Sequence, residues 1–94
     1  MKLLGKNLLA DISRRHPDIR SALATWEREV EDATWTTPVD VKTRYQKASF
    51  VGKDNVIFDI RGGKYRLHAR VNYVTALVIV IRVGTHAEYD HWTF

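Results

Sequence analysis

The spacing of apolar residues changes near residue 50, from a helical period to a period of two. Asn7 is a suitable N-cap for a helix carrying Leu8, Leu9 and Ile12, and Pro17 forces a break after His16. Pro17 then fits the first turn of a second helix, where Ile19, Leu23, Trp26 and Val30 recur at helical spacing. Arg20, Glu27, Arg28, Glu29 and Glu31 take the remaining faces, so the stripe reads as core. In "TTPVD", Thr37 is a capping residue, Pro38 suits the first helical position and Asp40 complements the helix dipole. This third helix is predicted to run to about Lys47, and Lys2 to Leu4 forms a short strand ahead of the first.

Beyond Phe50, "NVIFDI" alternates Val56, Phe58 and Ile60 with Asn55, Ile57 and Asp59. "KYRLHARVNY" alternates Tyr65, Leu67, Ala69, Val71 and Tyr73 with Lys64, Arg66, His68, Arg70 and Asn72. The paired glycines of "RGGK" accept the positive φ of a hairpin turn between these two strands. "ALVIVIRVG" is almost continuously apolar, as expected of a strand that is central or covered on both faces. Helices followed by a meander predict an α+β domain, with N-terminal helices packed on one face of a mainly antiparallel, twisted sheet. No repeat, low-complexity stretch or linker divides the chain, so residues 1–94 are expected to form a single domain.

That arrangement turns Lys64, Arg66, His68 and Arg70 outward. Arg82 is the exception in its apolar strand and needs either a partner, with Asp59 or Glu88 as candidates, or a concave surface open to solvent. Two readings stay open: a solvated sheet face, or a cationic surface shaped for a phosphodiester and its pentavalent phosphorane. The formal net charge of +4 suits an anionic partner without establishing one. His16 and His68 show no partner and read as surface residues.

The absence of cysteine removes thiolate catalysis and Cys-ligated zinc. His86, Asp90 and His91 lack a clean metal-ligand spacing, so the signal for a metal site is weak, and no phosphate loop, GxGxxG turn or GxSxG elbow occurs, which argues against nucleotide-driven chemistry. A DNA-reading role for the helix with Arg15, Arg20 and Arg28 is disfavoured because its apolar stripe includes Trp26. No run of about 18 apolar residues could span a bilayer and Met1 to Ala10 lacks a secretory core, so a cytoplasmic location is expected. "THAEYD" places His86 and Tyr89 three apart, where a short helical turn would aim both the same way and let either take part in proton transfer.

Four stretches occur in a specific order: "HPDIRSALATW", the pattern W-x-x-P-x-D-V-K over Trp35 to Lys42, "KYRL" over Lys64 to Leu67, and "GTHAEYD" over Gly84 to Asp90. Together the chain resembles the HigB-type toxins of bacterial type II toxin-antitoxin systems, within the RelE-like superfamily. Gly63 stands where similar sequences carry Asn before "KYR", a turn position that glycine serves equally.

The resemblance implies a RelE-like fold and an mRNA interferase, a ribosome-dependent endoribonuclease acting in the ribosomal A site. It also implies silencing by a cognate HigA-type helix-turn-helix antitoxin, a monomeric free toxin and no cofactor. In such chemistry the RNA 2'-hydroxyl is the nucleophile, so neither Ser, Cys nor metal is needed. Carried over, Arg66 and Arg82 would bind the scissile phosphate, and His86 and Tyr89 would orient the 2'-hydroxyl or exchange protons. Lys42, Lys47, Lys64 and Arg70 would hold RNA. The competing readings are a non-cleaving RNA- or ribosome-binding module and a gyrase-directed relative, neither of which needs Arg66, Arg82, His86 and Tyr89 together.

Overall fold

A computed structural model describes residues 1–94. The elements run β1 (Lys2–Leu4), α1 (Lys6–Arg15), a 3-10 turn (Pro17–Ile19), α2 (Arg20–Asp32), α3 (Pro38–Arg44), β2 (Ser49–Val51), β3 (Asn55–Ile60), β4 (Tyr65–Asn72), β5 (Leu77–Thr85) and α4 (His86–Tyr89). One five-stranded sheet has the order β1-β5-β4-β3-β2. The pairs β2–β3, β3–β4 and β4–β5 are antiparallel, and only β1 joins β5 in parallel.

The helices cover one face of the sheet, as the change of period predicts. Leu9 and Ile12 of α1, Leu23, Trp26 and Val30 of α2, and Val41 of α3 meet Val56, Phe58, Leu67, Ala69, Val71, Val78 and Val80 in one cluster of 19 buried residues. Phe58 lies at its centre, edge-on to Trp26 (5.3 Å between centroids) and Tyr45 (5.1 Å) and stacked at 6.4 Å on Trp35. Such ring contacts add to the area each side chain buries.

The element ends differ from the sequence expectations for local reasons. Gly5, rather than Asn7, precedes α1. The third helix stops at Arg44 instead of Lys47: Tyr45 leaves helical geometry, packs on Phe58 and donates its hydroxyl to Glu29 Oε1 at 2.8 Å. At the other end of α3, the Asp40 carboxylate accepts the backbone N–H groups of Thr36 (2.9 Å) and Thr37 (3.2 Å). Those bonds hold its pKa below the usual carboxylate range. β2 has no counterpart in the sequence reading.

The register of β4 and β5 contains one irregularity that matters for the outer face. His68 pairs with Arg82 and Ala69 with Val80, so Ile81 is an extra residue and a β-bulge. Val80 faces the core opposite Ala69, and Val83 faces it opposite Leu67. Without the bulge, strict alternation would send Arg82 to the core side with Val78 and Val80. The extra residue resets the phase and turns Arg82 outward beside His68.

Candidate functional site

The outer face carries Asp59 of β3, Arg66 and His68 of β4, and Arg82 and Gly84 of β5, all in register. The chain then turns back over it. Thr85 starts α4 with a reciprocal cap: its Oγ1 accepts the Glu88 N–H at 3.1 Å, while Glu88 Oε1 accepts the Thr85 N–H at 3.0 Å. The Thr85 N–H bond keeps the Glu88 carboxyl below its ordinary pKa. The His86 N–H donates to Lys64 O at 3.0 Å, tying α4 to the start of β4. Gly84 provides the clearance: a Cβ there would lie 3.0 Å from Trp92 Cζ2 and 3.2 Å from Glu88 Cβ.

Arg66 is held on three sides and its side chain is only 15% exposed. Nε lies 3.1 Å from Asp59 Oδ1, Nη1 donates to the Gly63 carbonyl, and the Tyr89 ring lies 5.3 Å from the guanidinium carbon. His86 meets Tyr89 edge-on at 6.4 Å, so the predicted pairing across one helical turn is present. His86 Nδ1 also lies 3.3 Å from Asp90 Oδ2.

Arg82 pairs with neither Asp59 nor Glu88, the partners considered from sequence. Its Nε donates to His68 Nδ1 at 3.2 Å and its Nη2 to the Thr93 carbonyl at 2.9 Å. The rings of Trp92 and Phe94 lie 4.5 and 5.1 Å from its guanidinium carbon. Tyr89 in turn meets Trp92 edge-on at 5.5 Å, which links the Arg66 and Arg82 neighbourhoods through one aromatic row.

His68 is not a surface residue. It is 6% exposed and lies between Arg82 and Asn55, whose Oδ1 is 2.8 Å from Nε2, under the edge-on ring of Phe94 at 4.9 Å. Burial, then the charges of Arg82 and Arg70, lower its pKa. Alternation correctly put His68 on the outer face, but Ile57 opposite it and the C-terminal rings cover that part of the face. His68, Asn55, Asp59, Trp92 and Phe94 were absent from the sequence-derived set, although the alternation that selected Arg66 also placed Asn55, Asp59 and His68 on its face.

The other cations are more dispersed. Lys64 Nζ contacts Asp18 Oδ2 at 2.9 Å, in a cluster where Asp18 also accepts from Arg61 (2.6 Å) and the Tyr65 hydroxyl (2.8 Å). Lys42 donates to the Ala48 carbonyl at 2.7 Å, and Arg70 lies 3.7 Å from Asp54. Lys47 is exposed on the turn after α3 and lines a cleft of about 390 Å³ with Asp59 and Gly62. The structure thus gathers Arg66, Arg82, His86 and Tyr89 along one aromatic row, whereas Lys42 and Lys64 have local structural partners. No group of three or more His, Asp or Glu side chains is placed to hold a metal ion, and no helix is long and apolar enough to cross a membrane.

Comparison with known proteins points the same way. Residues 19–92 match a family model described as HigB_toxin, the RelE-like toxic component of a toxin-antitoxin system. The chain is also similar to the mRNA interferase HigB of Escherichia coli O6:H1 (strain CFT073), with 25% identity over 95 residues, covering 99% of this chain and 92% of that protein.

Proposed function

Because the chain belongs to the HigB family of RelE-like toxins of toxin-antitoxin systems, we propose that it is an mRNA interferase that cuts translated mRNA and is silenced by a cognate HigA-type antitoxin. The observation that carries this reading is the convergence of Arg66, Arg82, His86 and Tyr89 on one face, joined by Tyr89 and Trp92. The similarity to an mRNA interferase supports it.

Cleavage requires a proton to leave the RNA 2'-hydroxyl as its oxygen attacks the adjacent phosphorus. The P–O5' bond then breaks, and the departing oxygen takes up a proton. The products are a 2',3'-cyclic phosphate and a 5'-hydroxyl. Arg66 and Arg82 neutralise the phosphorane, whose negative charge exceeds that of the ground-state diester. Arg66 is suited to this because Asp59 and Gly63 fix its guanidinium before substrate arrives, so little side-chain freedom is lost on binding. His86 and Tyr89 exchange the protons, with Tyr89 held against Arg66 and His86 next to Asp90. Exposed Lys47 and Arg70 draw in the phosphate backbone, with Lys42 and Lys64 adding to the field from their structural positions.

The test is brief induction of the gene in a bacterium, with Arg66→Ala and His86→Ala variants at equal protein level, and mapping of new mRNA 5' ends. Ends in translated frames that carry 5'-hydroxyls and disappear in Arg66→Ala are the expected result. Growth arrest without such ends would indicate a non-cleaving or gyrase-directed toxin.

A further inference from the structure

His68 is the only buried side chain with a titratable group outside the tyrosines, and the proton transfers above do not use it. Its hydrogen bonds have a fixed direction. A guanidinium can only donate, so the Arg82 Nε–H bond at 3.2 Å requires a lone pair on His68 Nδ1. The imidazole proton is therefore on Nε2, where it is donated to Asn55 Oδ1 at 2.8 Å. The result is a relay from β5 through β4 to β3: Arg82 to His68 to Asn55.

This relay sets the plane of the Arg82 guanidinium. With Nε tied to His68 and Nη2 to the Thr93 carbonyl, Nη1 is the corner without a protein acceptor. The groups that face the imidazole are Asn55 and Ile57 from β3, Arg82 from β5, and the rings of Trp92 and Phe94 from the C-terminal segment. Arg70, two residues along the same strand, adds a second positive charge, and the Asp54 carboxylate is turned to Arg70. No carboxylate contacts His68. An added proton would remove the acceptor on Nδ1 and place an imidazolium against Arg82.

We propose that His68 is a positioning residue for the RNA phosphate: as a neutral Nε2–H imidazole it holds Arg82 with Nη1 open to the phosphate, and its protonation releases that grip. The inference rests on the reading of this face as an RNA phosphate site. It also provides the toxin with an acid-side loss of RNA affinity that does not come from the proton-transfer groups.

The test uses the full chain and a short 2'-O-methyl RNA, which binds but cannot supply a 2'-hydroxyl nucleophile. Long-range proton–nitrogen NMR of the imidazoles reads the tautomer of His68, and RNA affinity is measured from about pH 5 to 8, so that the acid side, where a lowered imidazole protonates, is covered. The variants are His68→Leu, which fills the space without an acceptor, His68→Asn, whose amide oxygen can accept from Arg82 without titrating, and Arg82→Ala. The expected result is an Nε2–H tautomer and roughly tenfold weaker binding by His68→Leu at neutral pH, the scale of one hydrogen bond to a charged group. His68→Asn should recover most of that loss while lacking the part of the acid-side decline due to His68. An Nδ1–H tautomer, or unimpaired binding by His68→Leu while Arg82→Ala is weakened, overturns the proposal. If Arg66→Ala and Arg82→Ala both bind as the unsubstituted chain does, the phosphate site itself is misplaced, while the tautomer still decides whether the relay exists.

Discussion

Gly84→Ala adds a single methyl group beneath α4, and its consequence can be worked from the contacts. The new carbon would lie 3.0 Å from Trp92 Cζ2 and 3.2 Å from Glu88 Cβ, inside the ordinary carbon contact of about 3.5–4.0 Å. Trp92 and α4 must therefore lift by about half an ångström. Overpacking of this kind costs about 1–3 kcal/mol in a tight core. The lower end applies here, because the obstructing atoms belong to a four-residue helix and a half-buried terminal ring. Gly84 does not occupy the left-handed region, so alanine also restricts the unfolded chain, a gain of about 0.4–1 kcal/mol. The net destabilisation is then at most about 1 kcal/mol, a fall in Tm of no more than about 8 °C for a domain of this size.

The effect on the outer face should exceed the effect on stability, since Tyr89 and Trp92 stand over Arg66 and Arg82 only while α4 is seated. Trp26 and Trp35 are 2% and 6% exposed, so quenching of tryptophan fluorescence by iodide reports mainly on Trp92. Gly84→Ala is expected to increase that quenching and weaken growth arrest at equal protein level while remaining folded. A raised Tm with unchanged quenching and full toxicity would show that α4 and Trp92 do not rest on Gly84.

Phe58→Ala empties the centre of the aromatic cluster and should cost about 3–5 kcal/mol, read as a shift of the urea midpoint. Asp18 has its pKa lowered from 3.8 to about 2, first by its hydrogen bond from Lys64 and next by that from Tyr65. A carboxyl with a depressed folded-state pKa stabilises above its unfolded value and loses that contribution as pH falls toward the folded one. The stability difference between the unsubstituted chain and Asp18→Asn should therefore be level near neutrality and shrink below about pH 4; a difference that grows on acidification would contradict the cluster. Thr85→Ala removes the side-chain half of the α4 cap, a loss of about 1 kcal/mol confined to that helix, and hydrogen exchange at Glu88 should quicken while β4 amides keep their protection.

The sequence carries the helical stripes and the β3–β4 hairpin clearly because each obeys a single period over several residues. Ile19, Leu23, Trp26 and Val30 lie in the core, and so do Tyr65, Leu67, Ala69 and Val71. The bulge escaped that reading because a nearly continuous apolar run has no phase to break, and Ile81 fits either face. Alternation puts Arg66 on the outer face and the three-residue spacing pairs His86 with Tyr89, but that they share one site is implied only by the resemblance to HigB-type toxins. The burial of His68 was not legible: it depends on Ile57 and on rings from the C-terminal segment, contacts set by how that segment folds back and by no local pattern.

The bulge also bears on how this strand can vary over evolutionary time. Ile81 and Arg82 together oppose His68, so dropping one residue at that point would restore an even ladder while Val80 and Val83 still face inward and Arg82 outward. A lineage can therefore gain or lose a single codon there and keep both core and outer face, whereas the same length change between Leu77 and Val80 would exchange the two faces of everything on one side of it. A one-residue gap at position 81 between distant relatives is thus compatible with an intact site, and the arginine that follows the gap is the one to compare.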